Sequence, residues 1–348
     1  MTSSASPVSV DIDLQAKGKH IGHIRVPHST HESAYGFIAI PIAVINGGCG
    51  GSGGSSGSGR SGPDVLLTAG NHGDEYEGQI ALLKLMRSLS ADAVRGRVII
   101  IPRLNLPAAA AGRRTSPLDE GNLNRLFPGD PLGSPTAQIA DFVNTVLLPM
   151  TQVSLDLHSG GSSLEYLPCV YATVLPDAAR QAQLQAAAAA FGAPLTLMAQ
   201  QEISSRSLMA CARAHGHLHL ATELGGAGTT TPATQAIADH GVQRLLAHLG
   251  VIDLVNDPVA PPPETTRMMR ISGPSQYVYA PVRGLFEPAF ALGDRVQAGQ
   301  SAGCIHFPEE PDRAPRALVF ADSGMVVCRR VPSGVAPGDC VAHLAADF

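Results

Sequence analysis

At 348 residues, 44% of them hydrophobic and 15% charged, the chain is long enough to bury a sizeable core, and its length suits two domains. Net charge is −5 and the arginines are scattered rather than gathered into a basic stripe, which argues against a nucleic-acid partner. The N-terminus MTSSASPVSVDIDLQAKGKH has no apolar core behind a basic start, and no run approaches a membrane span, so the cytoplasm is the default compartment and no membrane partner is expected. Six cysteines, Cys49, Cys169, Cys211, Cys304, Cys328 and Cys340, lie far apart without a C-x-x-C pair. A chain of this length needs no disulfide staples, so free thiols are expected, and a thiolate-bound structural zinc is disfavoured. A metal would have to be held by histidines and carboxylates.

In chain order, GFIAIPIAVI reads as a strand and the Gly/Ser tract 47–62 as a flexible, expanded loop leading to the next strand, DVLLTAG. RVIIIP is a strand, and SPTAQIADFVNTVLLPM is a helix with Ser134 as cap and Pro135 at its first position. QVSLDLH, LHLAT and the helices DAARQAQLQAAAAAFG and TPATQAIADHGVQRLLAHLG continue the alternation. Alternating strands and helices imply an α/β domain over 1–255, with a mixed but mostly parallel sheet flanked by helices. The proline-rich stretch 256–267 reads as a linker. Residues 268–348 change to short strands punctuated by glycine, a smaller all-β domain with a weak internal repeat that matches Val296 and Gly299 to Val335 and Gly338. Two such copies are similar to the halves of a lipoyl or biotinyl carrier, a barrel-sandwich shape. The carrier function itself is excluded, because the only lysines are Lys17, Lys19 and Lys84.

The stretch LLTAGNHGDEYEGQIALL, 66–83, places His72, Asp74, Glu75 and Glu77 in one loop. Acids are favoured near helix N-termini, so this is either an acidic first turn or half of a metal site. His72 and Glu75 are close in sequence, and His158 ends the strand QVSLDLH far away. Two near ligands and one remote one are how a His₂Glu catalytic zinc is built, with the fourth position left to water. Asp156, two residues before His158, projects on the same side of the strand and could orient it. Taken alone, His158 reads first as an ordinary buried strand-end histidine. Position adds weight: His72, Arg103, His158 and Glu223 each follow a predicted strand, and sites in parallel α/β sheets gather at the carboxyl ends of strands. Glu223 alone could be a capping or salt-bridged acid, but buried carboxylates are rare without a task or partner. In AGRRTSPLDEGNLNRLFPG, Arg125 beside Asn124 could grip a carboxylate and Arg114 could face an oxyanion; a solvated loop is the alternative. His215, His217 and His219 alternate like ligands, yet metal sites draw on more than one element, and no second metal site is assigned to them.

The motifs GNHGDEYEG, GNLNRLFPG, LDLHSGG and TELGG, in that order, resemble the succinylglutamate desuccinylase and aspartoacylase family, a branch of the zinc-carboxypeptidase-like hydrolases. The resemblance covers almost the whole chain, including the C-terminal β-region. It implies one Zn²⁺ per chain on His72, Glu75 and His158, Glu223 as general base, Asn124 and Arg125 as substrate-carboxylate clamp, and Arg114, adjacent to Arg113, as oxyanion arginine. The spacing from Arg114 to Asn124 is longer than in aspartoacylase itself, and the Gly/Ser insert departs from the pattern without touching a catalytic residue. RTSPLDEGNLNRLFPG and APVRGLFEPAF…GDRVQAG most resemble the branch that deacetylates Nα-acetyl-L-2,4-diaminobutyrate in ectoine breakdown. The implied reaction is hydrolysis of an N-acyl amino acid, a small-molecule partner, with a homodimer left open. Succinylglutamate or acetylaspartate chemistry would need a further cation for the second carboxylate. A carboxypeptidase would need an open cleft, and a non-catalytic zinc- or ligand-binding protein would need no base. For a cationic side chain, Glu165 is the best-placed acid in sequence, unless it is a surface acid.

Overall fold

A computed structural model of the protein describes residues 6–47, 62–200, 204–254 and 265–348. The Gly/Ser tract 47–62, except for its end glycines, lies outside the described residues together with Cys49, and so does most of the 256–267 linker. Among the described residues no helix is long and apolar enough to cross a membrane.

The centre of the main sheet is parallel. Strands Arg97–Ile101, Val65–Ala69, Val153–His158 and Leu218–Glu223 lie side by side in that order. Val65–Ala69 and Val153–His158 are buried at every position, as expected where both sheet faces are covered. Alternate side chains feed two cores. Val65, Leu67 and Ala69 meet Leu82, Leu85, Phe191 and Leu245 from the helices Tyr76–Ser88, Ala178–Phe191 and Pro232–His248. Leu66, Ile99 and Ile101 meet Ile139, Phe142 and Leu208 on the opposite face. Gly78 is required here: a Cβ on it would stand 2.4 Å from the Leu157 Cβ, so glycine lets Tyr76–Ser88 approach the strand.

The sheet is mixed at its flanks. Phe37–Asn46 and Gly18–Pro27 extend one side antiparallel. On the other, Cys169–Thr173 runs antiparallel to Leu218–Glu223, followed by Leu195–Ala199 and Arg267–Ile271 parallel to it. Gly18–Pro27, Cys169–Thr173 and Leu195–Ala199 escape the sequence reading for physical reasons. The first is diluted by Lys19, His20, Gly22 and His23, and the other two are five-residue apolar runs that periodicity cannot separate from neighbouring helices. The helix over 134–150 is also less regular than its pattern suggests. It is α-helical over Pro135–Phe142, widens into i→i+5 turns over Val143–Leu147 and closes in a tight turn at Leu148–Met150. Ser134 occupies the cap position, but its side chain makes no cap hydrogen bond.

Arg267–Ile271 pairs with Cys340–Asp347, which carries Gly324–Arg330 and Arg295–Val296 into the same sheet, while Gly284–Pro288, Ser301–His306, Arg316–Val319 and Gly334–Val335 form a separate antiparallel sheet. The repeat is visible there as backbone. Val296 and Val335 enter one small core with Phe286 and Phe320, and Gly299 and Gly338 share a left-handed conformation at φ +82° and +90°. The copies interlock: Gly284–Pro288 pairs with Gly334–Val335, and Arg295–Val296 pairs with Gly324–Arg330. Strand Leu164–Tyr166, from the loop after His158, joins Gly324–Arg330.

Candidate metal and active site

Gly70, at φ +68°, turns the chain out of Val65–Ala69 and into the loop that bears His72. Glu75 occupies the N-cap position of Tyr76–Ser88, yet its side chain caps nothing. It is only 3% exposed, with Oε1 2.7 Å from His72 Nδ1 and Oε2 2.8 Å from His158 Nδ1. An acid serving the helix dipole would sit at the solvent; this one bridges two histidines. The neighbouring acid Asp74 also turns inward, accepting hydrogen bonds from the Ser162 N–H and hydroxyl.

The far side of each imidazole is held as well. Asp156 Oδ2 lies 2.7 Å from His158 Nε2, and Asn122 Oδ1 lies 3.2 Å from His72 Nε2. Asp156 is itself fixed, because Thr68 Oγ1 donates to its Oδ1 and Asn71 Nδ2 to its Oδ2. Acceptors at both Nε2 atoms favour the tautomer whose Nδ1 lone pair points at the shared centre, as second-shell partners do for metal-bound histidines. One donor atom from each of His72, Glu75 and His158 lies within 4.8 Å of the others, and all three residues are buried. An N₂O donor set of this kind fits zinc with one position open. Burial alone would push the Glu75 carboxyl up, but the two facing histidines hold it well below the usual range. Burial presses His72 down; in His158 it is outweighed by Asp156 and Glu75, which raise the imidazole well above its ordinary value.

Glu223 ends its strand in direct register with His158. Burial first, and then the Glu75 charge, push its carboxyl up to about 8, and its Oε2 has no hydrogen-bond partner among the described residues. A carboxyl balanced near neutrality and aimed into a cavity can take a proton and return it. Arg114 Nη1 lies 3.3 Å from His72 Nδ1 and 3.5 Å from Glu75 Oε1, whereas the adjacent Arg113 pairs with Glu120 at the surface. Asn124 and Arg125 line the same cavity of about 460 Å³. Asn124 Oδ1 accepts from the Leu208 N–H, and Arg125 Nη1 donates to the Asn124 carbonyl at 2.7 Å, so the pair is anchored to Leu208–Ala214. Burial, with Arg114 nearby, presses the Arg125 guanidinium down.

Two expectations fail. Arg103 does not enter the cavity; it donates to Gln79 Oε1 and the Ala109 carbonyl, tying two helices together. Glu165 is no pocket acid, because Arg329 holds its Oε2 through Nε at 2.8 Å and through Nη2. Of the alternating histidines, His217 and His219 share Ser154 Oγ and His215 meets Asn144. The sequence reading missed Thr68, Asn71 and Asn122, which sit beside predicted ligands and could have been sought as their supports. It also missed Tyr166, Tyr171, Tyr277 and His343, which line the cavity without any local motif.

Residues 61–249 match the family model described as the succinylglutamate desuccinylase/aspartoacylase catalytic domain. The chain is 42% identical over 341 residues, 98% of its length and 95% of the relative's, to an N-alpha-acetyl-L-2,4-diaminobutyric acid deacetylase of Halomonas elongata. Among solved structures it is similar to a succinylglutamate desuccinylase/aspartoacylase from Rhodobacter sphaeroides, at 38% identity and a TM-score of 0.89 with 99% of both chains covered. The product-bound ectoine utilization protein EutE (DoeB) from Ruegeria pomeroyi is similar at 36% identity and a TM-score of 0.89, again over 99% of both chains.

Proposed function

Since the chain belongs to the succinylglutamate desuccinylase/aspartoacylase family, we propose that it is a zinc-dependent amidohydrolase that deacetylates Nα-acetyl-L-2,4-diaminobutyrate in the cytoplasm, in ectoine degradation. The observation that carries the hydrolytic reading is the convergence of His72, Glu75 and His158 on one buried centre, with Glu223 beside it in the same cavity. The acetyl-diaminobutyrate assignment is supported by identity to the Halomonas elongata relative over nearly the whole chain. We assign residues 1–255 as the catalytic domain and 268–348 as a barrel-sandwich-like β-domain.

Zinc on His72, Glu75 and His158 would supply Lewis-acid polarisation of the acyl carbonyl and a water acidified towards a pKa of about 7. Asn124 and Arg125 bind the amino-acid carboxylate, which fixes the scissile amide over the site. Glu223 takes a proton from the attacking water and delivers it to the departing amine. Arg114 presents its guanidinium to the developing oxyanion. Asp156 holds the His158 ring, and Asn122 the His72 ring, so that neither must reorganise during the reaction.

The test is an assay of purified protein against a panel of N-acyl amino acids, including N-acetylaspartate and N-succinylglutamate. Highest kcat/KM on Nα-acetyl-L-2,4-diaminobutyrate is expected. Preference for an acidic compound would overturn the substrate and leave the amidohydrolase; activity on peptides alone would favour a carboxypeptidase.

A further inference from the structure

The cavity has a second end that the chemistry above does not use. Its wall includes Tyr166, His343 and Tyr277, which strand register brings together: Tyr166 stands opposite Cys328, Cys328 opposite His343, and His343 opposite Tyr277. Partners in a ladder project from the same face, so rings from distant parts of the chain form one surface. His343 stacks on Tyr277 with centroids 4.0 Å apart and planes 10° apart, and meets Tyr166 edge-on at 6.5 Å. Tyr171 reaches the cavity from the main sheet. It pairs with Ala221, two residues before Glu223, and therefore lies on the sheet face that bears Glu223.

Three polar atoms at this end are left without partners. His343 is 1% exposed and Tyr171 8%, yet neither ring nitrogen of His343 nor the Tyr171 hydroxyl has a hydrogen-bond partner among the described residues. Burial presses His343 down to about 3, so its ring stays neutral, with one nitrogen free to accept. Buried polar atoms are nearly always satisfied, and those that line a cavity without a protein partner call for one on the ligand. Charge decides which ligand group fits. Among the described residues the arginines lining the cavity are Arg114 and Arg125, and Glu165 neutralises Arg329 outside it. Arg114 stands by the metal ligands and Arg125 is anchored beside Asn124. A carboxylate among the rings would thus meet neutral groups, whereas an ammonium would find π faces and lone pairs.

We infer that Tyr171, Tyr277 and His343 form the subsite for a cationic amine on the side chain of the substrate's amino acid. Tyr277 offers a ring face, and the Tyr171 hydroxyl and one His343 nitrogen accept the ammonium N–H groups. This rests on the N-acyl amino acid reading above.

Nα-acetyl-L-2,4-diaminobutyrate and Nα-acetyl-L-norvaline have side chains of equal length that end in an ammonium and a methyl group respectively, so their ratio isolates the amine. Two readouts are needed for wild type, Tyr171→Phe and His343→Phe: kcat/KM for each compound, and affinity by calorimetry in a Glu223→Gln background that does not consume the ligand. The wild type should favour the amine by at least about tenfold in both, and each variant should lower that preference by about tenfold, the scale expected when a site loses a hydrogen-bond partner for its ligand. No preference in the wild type would overturn the subsite, as would variants that weaken both compounds equally. Should His343→Phe fail to fold by circular dichroism, Tyr171→Phe decides. Preferential binding of the amine without turnover of either compound would remove the hydrolase reading and leave the subsite standing; turnover without preference would do the reverse.

Discussion

The two ends of the cavity satisfy their polar groups in opposite ways. At the metal end, Glu75 engages His72 and His158 through its two oxygens, and Asp156 uses both of its own on Thr68, Asn71 and His158. At the aromatic end, His343 and Tyr171 are as deeply buried but have no protein partners among the described residues. One end is organised by its own residues before anything binds. The other is arranged to be completed by what enters it. Pre-organisation suits groups that must hold a metal and move protons without rearranging, whereas discrimination between substrates comes from groups that a wrong ligand leaves unpaired.

The largest effect should come from breaking the metal end outright. His158→Ala is expected to lose its bound zinc and its activity together, while His343→Phe keeps one zinc per chain; metal analysis of both variants decides. Equal zinc in His158→Ala and wild type would remove His158 from the site. Next in size, Glu223→Gln should retain the metal and lose at least about 10²-fold in kcat, as for removal of a general base. Near-normal turnover would make Glu223 a structural acid.

Asp156→Asn tests the outer support rather than a ligand. Chelator competition should show zinc affinity weakened by about 10- to 100-fold, the usual cost of losing such a partner. An unchanged affinity would mean that Asp156 serves only Thr68 and Asn71.

The smallest effect concerns stability. Burial keeps folded His343 unprotonated down to about 3, while an unfolded histidine binds its proton near 6.5. As pH falls below 6.5 the unfolded chain gains this proton first, so stability is lost on the acid side. At about pH 5 the loss from this one group is about 2 kcal/mol. His343→Phe removes it, so its melting temperature should fall less than that of the wild type between about pH 7.5 and about pH 5. Identical falls would show that His343 is protonated in the folded protein.

The grouping of His72, Glu75 and His158 as candidate ligands was readable because its signals are local. His72 and Glu75 share one loop, and apolar runs placed that loop and His158 at strand ends. The sequence could not separate Arg113 from Arg114, since adjacent loop residues point wherever the local turn sends them. It also left Glu75 open as a helix-cap acid; only burial between two histidines decides that.

What the sequence by itself determined was the four central parallel strands, the family, and the two-near, one-far pattern of candidate ligands, because periodicity and short motifs are properties of neighbouring residues. Only the tertiary structure decided the rest. Glu165 is claimed by Arg329, 164 residues away, and Arg103 is spent on a neighbouring helix. Tyr166, His343 and Tyr277 become one wall only when their strands come into register. Register is set by strand pairing across the whole chain, and shifting it by one residue would turn those rings to the other face of the sheet.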